Sequence, residues 1–132
     1  MATPGYSGKP LWQKLGLNPD STVSVVGYPG DYQALVGLPV GLATNAPFVH
    51  AFVRSESALA EVIEGLASTL PATGIAWISW PKRASGIATE VTENSIRDHA
   101  LPTGLVDVKV CAVDENWSGL KLVWRVTERK GR

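Results

Sequence analysis

Residues 48–80 read FVHAFVRSESALAEVIEGLASTLPATGIAWISW, and they decide the fold of this chain. Two almost wholly apolar segments, 48–53 and 75–80, are typical of strands that are covered on both faces. Between them, apolar residues recur at helical spacing over Glu56–Thr69, and Ser55 is placed to cap the start of that helix. A strand, a helix and a second strand in this order predict a right-handed crossover between parallel strands.

The segment upstream of this unit predicts smaller elements. A short helix is predicted at 10–15, a β-branched strand at 22–27 and a helical turn that Asp31 would cap. Residues 41–45 predict a short, weak strand. Only two residues separate it from the strand at 48–53, which is too few for a helical crossover between parallel strands.

The segment downstream predicts a second helix and two further strands. The helix is expected at 93–101 with Thr92 as its N-cap, and the alternating strands at 106–112 and 120–126. The loop 114–119 between these strands is short enough for a hairpin and too short for a parallel crossover. The last two strands are therefore predicted to be antiparallel.

Together these elements predict one α/β domain over residues 1–132, with flexible ends at 1–8 and 128–132. The expected architecture is a three-layer Rossmann-like fold with a mostly parallel sheet, closed by a C-terminal antiparallel hairpin. Such a hairpin resembles the C-terminal half of methyltransferase folds, so the expected fold is a reduced methyltransferase fold. The residues expected to form its core are Leu59, Ile63, Leu66, Ile78, Val108, Val110 and Leu122.

The composition narrows the class of protein. Of the 132 residues, 12 are Lys or Arg and 12 are Asp or Glu, so the chain lacks the positive excess of a dedicated nucleic-acid binder. The one cysteine, Cys111, cannot form an internal disulfide and fits a reducing compartment. The sequence shows no apolar signal segment and no stretch of membrane-helix length, so the expected location is the cytoplasm.

Several short motifs extend over nearly the whole chain, with a poor match at 28–50. They read YSGKPL (6–11), KLGL (14–17), WPK (80–82) with SG (85–86), GLVD (104–107), KVCA (109–112) and, after Asp114, WSGL (117–120). This set resembles a bacterial family catalogued as domain of unknown function 3052. The resemblance implies a small cytoplasmic α/β protein and brings no established activity, substrate or catalytic residue.

The candidate ligand-binding residues follow from the predicted topology. In open α/β sheets, ligands bind outside the carboxyl ends of the parallel strands, and all of these ends open on one edge. The loop 82–86 offers positive charge, a hydroxyl donor and a flexible backbone, which suit an anion. The residues expected to meet at this edge are Tyr28, Asp31, Arg54, Lys82, Arg83, Ser85, Asp114 and Trp117.

The motifs of an adenosine cofactor are missing. In the first turn, Tyr28 and Pro29 replace positions where small residues and backbone N–H groups usually approach the ligand. No acidic residue follows the second predicted strand to bind ribose hydroxyls. We therefore expect no cofactor, and we expect S-adenosylmethionine and NAD to bind no tighter than about millimolar.

The sequence also predicts no metal site and no catalytic residue. It contains no paired histidines or cysteines at metal spacing, and no motif links Cys111 to His50 or His99. Cys111 lies in a predicted strand, where a buried and inert thiol is the simpler expectation.

Three classes of function remain open at this point. The first is a non-catalytic domain that binds an anionic small molecule or a protein partner at the carboxyl edge. The second is a divergent group-transfer enzyme, methyltransferase-like, with a degenerate cofactor site. The third, nucleic-acid binding, has little electrostatic support.

Overall fold

The central sheet has six strands, and the computed structural model describes it within residues 9–131. The strands are β1 (Thr22–Val26), β2 (Gly41–Leu42), β3 (Phe48–Phe52), β4 (Ile75–Pro81), β5 (Leu105–Ala112) and β6 (Trp117–Trp124). They lie in the order β2-β1-β3-β4-β6-β5. Strands β2, β1, β3 and β4 pair in parallel, whereas β6 is antiparallel to both β4 and β5. This arrangement confirms the predicted mostly parallel sheet with a closing antiparallel hairpin.

The four α-helices are α1 (Leu11–Leu15), α2 (Tyr32–Val36), α3 (Glu56–Thr69) and α4 (Glu93–Ala100). The predicted caps are present, since the side chains of Asp31, Ser55 and Thr92 accept hydrogen bonds from backbone N–H groups of α2, α3 and α4. Each cap satisfies an N–H group that the first turn of a helix leaves without an intrahelical partner.

The helices cover the two faces of the sheet, so the fold has three layers. Helices α3 and α4 pack on one face, and α1 and α2 pack on the other. A buried tryptophan closes each face: the indole N–H of Trp124 donates to the Leu70 carbonyl on the first, and that of Trp77 to the Leu15 carbonyl on the second. Each ring thereby ties the sheet to the chain at a helix end while its polar atom stays satisfied.

The connection between β2 and β3 takes an unexpected form. The two strands lie on opposite sides of β1 and both run parallel to it, although only residues 43–47 join them. The connection can be this short because β2 has two residues and leaves the sheet beside Val23, where β3 also begins. Crossing two strand spacings needs about 10 Å, and five extended residues reach about 16 Å.

The prediction that Val108 and Val110 belong to the core is wrong. These side chains are 54% and 51% exposed, whereas Leu59, Ile63, Leu66, Ile78 and Leu122 are buried as expected. Strand β5 is the outermost strand of the sheet, and its register with β6 shifts between Asp107 and Lys109. A bulge of this kind breaks the alternation from which burial was predicted. Leu105 and Cys111 are the buried side chains of this strand.

The β5–β6 hairpin is tighter than predicted. Strand β6 begins at Trp117, so residues 117–119, expected in the loop, belong to the strand. The Asp114 carboxylate accepts hydrogen bonds from the N–H groups of Asn116 and Trp117 and so closes a short turn. Residues 126–131 form a 3₁₀ helix over part of the segment expected to be flexible, and the expected flexible end at 1–8 lies outside the described residues.

Candidate ligand cleft at the carboxyl edge

A cleft of about 910 Å³ opens at the carboxyl edge of the sheet, where β1 and β3 end. After β1 the chain moves to one side to form β2, and it then returns to the other side of β1 to form β3. The carboxyl ends of β1 and β3 therefore mark a topological switch point, which is where open α/β sheets bind ligands. The cleft takes residues from the turns after β1, β3 and β4 and from the β5–β6 hairpin.

Three aromatic rings form the apolar wall of this cleft. The ring of Phe52 lies at the centre of the group, with centroid distances of 4.6 Å to Tyr28 and 5.2 Å to Trp117. Both outer rings line the cleft together with Phe52. Phe52 and Trp117 are buried, whereas Tyr28 is half-buried, so the Tyr28 ring is the part of this wall that a planar ligand group can reach most easily.

The turn after β1 brings Tyr28 against this wall. Gly27 has a φ of +79°, and a Cβ atom at this position would lie 2.5 Å from the carbonyl oxygen of Phe52. Only glycine can adopt this conformation without strain while the two backbones approach this closely. The first turn therefore uses its glycine for packing against β3.

The polar groups of the cleft carry both signs of charge. Arg54 follows β3, its carbonyl accepts hydrogen bonds from Glu90 N–H and the Thr89 hydroxyl, and its exposed guanidinium forms no ion pair with residues 9–131. Burial raises the pKa of the Tyr28 hydroxyl, and the negative charges of Asp114 and then Asp31 raise this pKa further. The hydroxyl thus stays protonated and available as a donor.

The N-terminus of α3 borders the cleft but is already occupied by side chains. The Ser55 hydroxyl accepts from Ala58 N–H at 3.1 Å, and the Glu90 carboxylate accepts from Glu56 N–H at 2.9 Å. A carboxylate of the chain itself therefore takes the position that an anionic ligand could otherwise use. Attraction for an anion in this cleft falls to Arg54.

A buried polar network lies behind the aromatic wall. His50 is fully buried, with Nδ1 2.8 Å from the Tyr32 hydroxyl and Nε2 2.6 Å from the Ser79 hydroxyl. Its ring stacks on Phe52 with centroids 4.4 Å apart. Burial lowers the pKa of His50 to about 3 and raises that of Tyr32, so both groups are neutral near pH 7. The network therefore holds the wall in place without adding charge.

The structure brings four of the eight predicted site residues into the cleft, namely Tyr28, Arg54, Asp114 and Trp117. Asp31 lies beside it and caps α2. The remaining three fall in a 3₁₀ turn at the same edge of the sheet, since Lys82 N–H donates to the Asn116 carbonyl at 2.8 Å.

The turn that follows β4 differs from the expected open, anion-binding loop. The Ser85 hydroxyl donates to the Lys82 carbonyl at 2.7 Å and accepts from Ile87 N–H, so it stabilises the turn itself. Arg83 lines a separate depression with Trp80 and Glu93. The structure therefore does not bring this loop's charge and hydroxyl group into the cleft.

Sequence reasoning missed Phe52 as a cleft residue, and it placed the loops that contain Ser55 and Asn116 at this edge without naming either residue as ligand-binding. Phe52 is the last residue of an apolar strand, and only the parallel pairing of β3 with β1 and β4 shows that it borders the cleft. Asn116 lies in the predicted hairpin loop, and this position in the chain was the signal that could have identified it as a cleft residue.

Cys111 is a buried free thiol that does not line the cleft. Burial raises its pKa, and the nearby charges of Lys14 and Lys109 oppose this shift in part. A thiol with a raised pKa has little thiolate at neutral pH and is a poor nucleophile.

The residues of the cleft do not fit an adenosine cofactor held as in Rossmann-like folds. Pro29 has no N–H group, and a side chain at Gly30 would meet the Tyr28 ring at 3.1 Å, which shows that this ring covers the turn. Strand β2 pairs only with Thr22 and Val23, so it stops at the amino half of β1 and carries no carboxylate to the edge. The first turn thus lacks one backbone donor at Pro29, and the carboxylate that binds ribose hydroxyls in such folds is absent from the end of β2.

Within residues 9–131 there is no group of three histidine, cysteine or carboxylate side chains that could hold a metal ion. In the same part of the chain, no helix has the length and apolar character needed to span a bilayer.

Comparison with solved structures identifies the fold. The chain is similar to a protein assigned as a type 11 methyltransferase from Sulfolobus solfataricus, with a TM-score of 0.57, 12% identity, and coverage of 89% of this chain and 91% of that one. It is also similar to the fibrillarin pre-rRNA processing protein of Methanococcus jannaschii (TM-score 0.55, 11% identity, 81% and 67% covered). A third similar structure is the ribosomal protein L11 methylase of Lactobacillus delbrueckii subsp. bulgaricus (TM-score 0.53, 14% identity, 85% and 74% covered).

No family model and no curated protein sequence matches the chain. The structural neighbours confirm the predicted Rossmann-like, methyltransferase-like fold. At identities of 11–14%, they establish the fold alone. Its function has to be argued from the cleft.

Proposed function

We propose that this protein is a divergent group-transfer enzyme of methyltransferase-like fold, with a degenerate cofactor site. The observation that carries the proposal is that the 910 Å³ cleft coincides with the switch point of the sheet. A cytoplasmic location and membership of the family known as domain of unknown function 3052 form part of the same proposal.

The cleft favours a ligand with a planar ring and an anionic group. The Tyr28 ring, supported by the buried rings of Phe52 and Trp117, provides the stacking surface. Arg54 provides a cation without an ion-pair partner among residues 9–131. Asp114 has one carboxylate oxygen engaged in the hairpin turn, and the Tyr28 hydroxyl faces the field of this carboxylate. In this proposal Tyr28, Arg54, Asp114 and Trp117 contact the ligand.

A second candidate is a non-catalytic binding domain for the same class of ligand. It is favoured by the chemistry of the lining, because the described residues that line the cleft include no histidine, cysteine or lysine. A reaction that needs a general base would have to use Asp114, because the Tyr28 hydroxyl stays protonated. A reaction driven by positioning alone needs no general base.

Calorimetric titration with phenyl phosphate and with benzylamine tests the ligand class. We expect the wild-type protein to bind the anionic ring compound and not the cationic one. Arg54→Gln should weaken this binding by about 1.5–3 kcal/mol, roughly 10- to 150-fold, because it removes one charged contact. Arg83→Gln is the matched control, since Arg83 lies in the neighbouring depression and its loss should leave the affinity unchanged.

Equal loss in both variants would reduce the effect to net charge, and preference for benzylamine would contradict the ligand class. Mass spectrometry of ring-bearing anions, after incubation with the protein and millimolar S-adenosylmethionine, then separates the two candidates. A methylated product that requires an intact cleft supports the group-transfer enzyme. Bound but unchanged ligand supports the binding domain.

A further inference from the structure

A second concave surface lies on the opposite side of β1 from α2, and we call it the α3–β1 groove. It has a volume of about 290 Å³ and runs between the outer flank of α3 and the face of β1 and β3. Its floor and walls are mainly apolar, and Val26 at its edge is 42% exposed. The apolar side chains that line it are Val26, Ala46, Val49, Val62, Leu66 and Leu70.

The groove exists because one position of the helical layer is empty in the described part of the chain. On this face α3 and α4 cover β3, β4 and β6, whereas β1 is crossed only by the short connection 43–47. Strand β2 also stops beside Val23, so the carboxyl half of β1 has a neighbouring strand on one side only. Sheets of parallel strands are normally covered by helices on both faces.

Gly65 is the second observation, and it is independent of the first. It lies in the middle of α3, is exposed and lines the groove, and a Cβ atom added there would meet no atom within 4 Å. Its φ is not positive, so the backbone does not require glycine. Glycine destabilises a helix interior relative to alanine, and the space around Gly65 would accommodate a Cβ atom. A closely approaching helix backbone would use the space that glycine leaves.

The charge around the groove indicates the chemistry of the occupant. Glu61 is the one charged side chain among the described residues that line the groove, and none of them is basic. Glu61 lies at the rim of the groove, and it forms no ion pair with residues 9–131. A second copy docked by a twofold axis that passes through the groove would bring two Glu61 carboxylates into one interface without a basic partner, which is repulsive.

We propose that the α3–β1 groove docks a basic amphipathic helix of a partner protein. The helix would fill the empty position of the helical layer, with aliphatic side chains on Val26, Val49 and Val62. Its backbone would approach at Gly65, and lysine or arginine side chains would flank Glu61. The proposal concerns a surface separate from the cleft and holds whether or not the cleft is catalytic.

Binding of two synthetic 16-residue helical peptides tests this proposal. Both carry a stripe of leucine and alanine; one has lysine on the flanks of the stripe and the other glutamate. Fluorescence anisotropy gives the affinity, and ¹⁵N chemical shifts of the full chain locate the contact. We expect the lysine peptide to bind at least tenfold more tightly, with shift changes concentrated at 24–26, 45–49 and 61–70.

Matched variants assign the contact to the groove. Gly65→Leu should weaken binding of the lysine peptide at least tenfold, because it fills the groove. Ser68→Leu, which places the same side chain at an exposed position outside the groove, should have less effect. Glu61→Lys should weaken binding about fivefold or more, and Glu64→Lys, which makes the same change away from the groove, should have less effect. Circular dichroism checks that each variant folds.

Three results would overturn the proposal. The first is equal affinity for the two peptides, or no binding of either one. The second is a set of chemical-shift changes that lies outside the groove. The third is sedimentation of the free protein as a dimer that Gly65→Leu dissociates, which would assign the groove to a second copy.

Discussion

The two ends of the sheet differ in how completely they are built. At one end, β4 and β6 pair over six residue positions and β6 and β5 over seven. The buried rings of Trp77 and Trp124 lie on the two faces of this part of the sheet. At the other end, β2 has two residues, Leu42 is 53% exposed and half of β1 lacks an outer neighbour. The β4–β6–β5 side, which we call the scaffold end, has the strand pairing and buried side chains that stabilise a three-layer fold. The β2–β1 side, which we call the reduced end, is the side that carries the ribose partner in Rossmann-like folds.

This difference explains why the fold is recognisable and its cofactor chemistry is not. The closing antiparallel strand and the cleft at the switch point place the chain among methyltransferase-like structures. The short β2 and the first turn with Tyr28 and Pro29 remove the features that hold adenosine compounds. Reduction at this end also opens the α3–β1 groove.

The largest expected effect is on the stability of the scaffold end. Trp77→Ala should lower the free energy of unfolding by about 3–5 kcal/mol, because it leaves a cavity and removes the hydrogen bond to the Leu15 carbonyl. Leu42→Ala, at the reduced end, should change it by less than about 0.5 kcal/mol. Urea denaturation measures both, with Trp77→Phe as a milder variant if the alanine variant does not fold.

The next effect is the pH dependence of stability that His50 imposes. Its pKa is about 3 in the folded protein and near 6.5 in the unfolded chain, so between these values only the unfolded state binds the proton. Stability is therefore fully present above pH 6.5 and is lost as the pH falls toward 3, by at most about 1.4 kcal/mol per pH unit.

Urea denaturation from pH 7 to pH 4 measures this slope. His50→Gln should be less stable at pH 7 and should lose stability less steeply with acid, because its side chain does not titrate. Parallel slopes for the two proteins would show that carboxylates, and not His50, govern the acid response.

The smallest effect is an increase in stability at the groove. Gly65→Ala should raise the free energy of unfolding by about 1 kcal/mol, since alanine favours the helix and its Cβ meets no atom. Thermal denaturation measures it. A loss of stability would mean that Gly65 serves the packing of the isolated chain.

The sequence predicted best what depends on local pattern. Helix α3 begins and ends where its periodicity and Ser55 indicated, and β4 is the strand that its apolar run indicated. The burial of Val108 and Val110 failed because a register shift in an edge strand depends on pairing with β6, which a single segment does not encode. The form of the β2–β3 connection could not be predicted for the same reason, because it depends on the pairing of both strands with β1.

The candidate site divides in the same way. Convergence of Tyr28, Arg54, Asp114 and Trp117 follows from parallel strands, whose carboxyl ends share one edge, and it could be predicted. The separation of Lys82, Arg83 and Ser85 from the cleft arises from a 3₁₀ turn and its hydrogen bonds. Such bonds depend on the final course of the backbone, and composition alone predicted a flexible loop.

Calorimetric titration of the wild-type protein with S-adenosylmethionine tests the central claim, that the scaffold persists while the adenosine site is degenerate. We predict a dissociation constant of about 1 mM or weaker, because the first turn lacks a donor at Pro29 and β2 brings no carboxylate to the edge. A micromolar dissociation constant would contradict the account. It would show that the reduced end of the sheet still holds the cofactor that its fold implies.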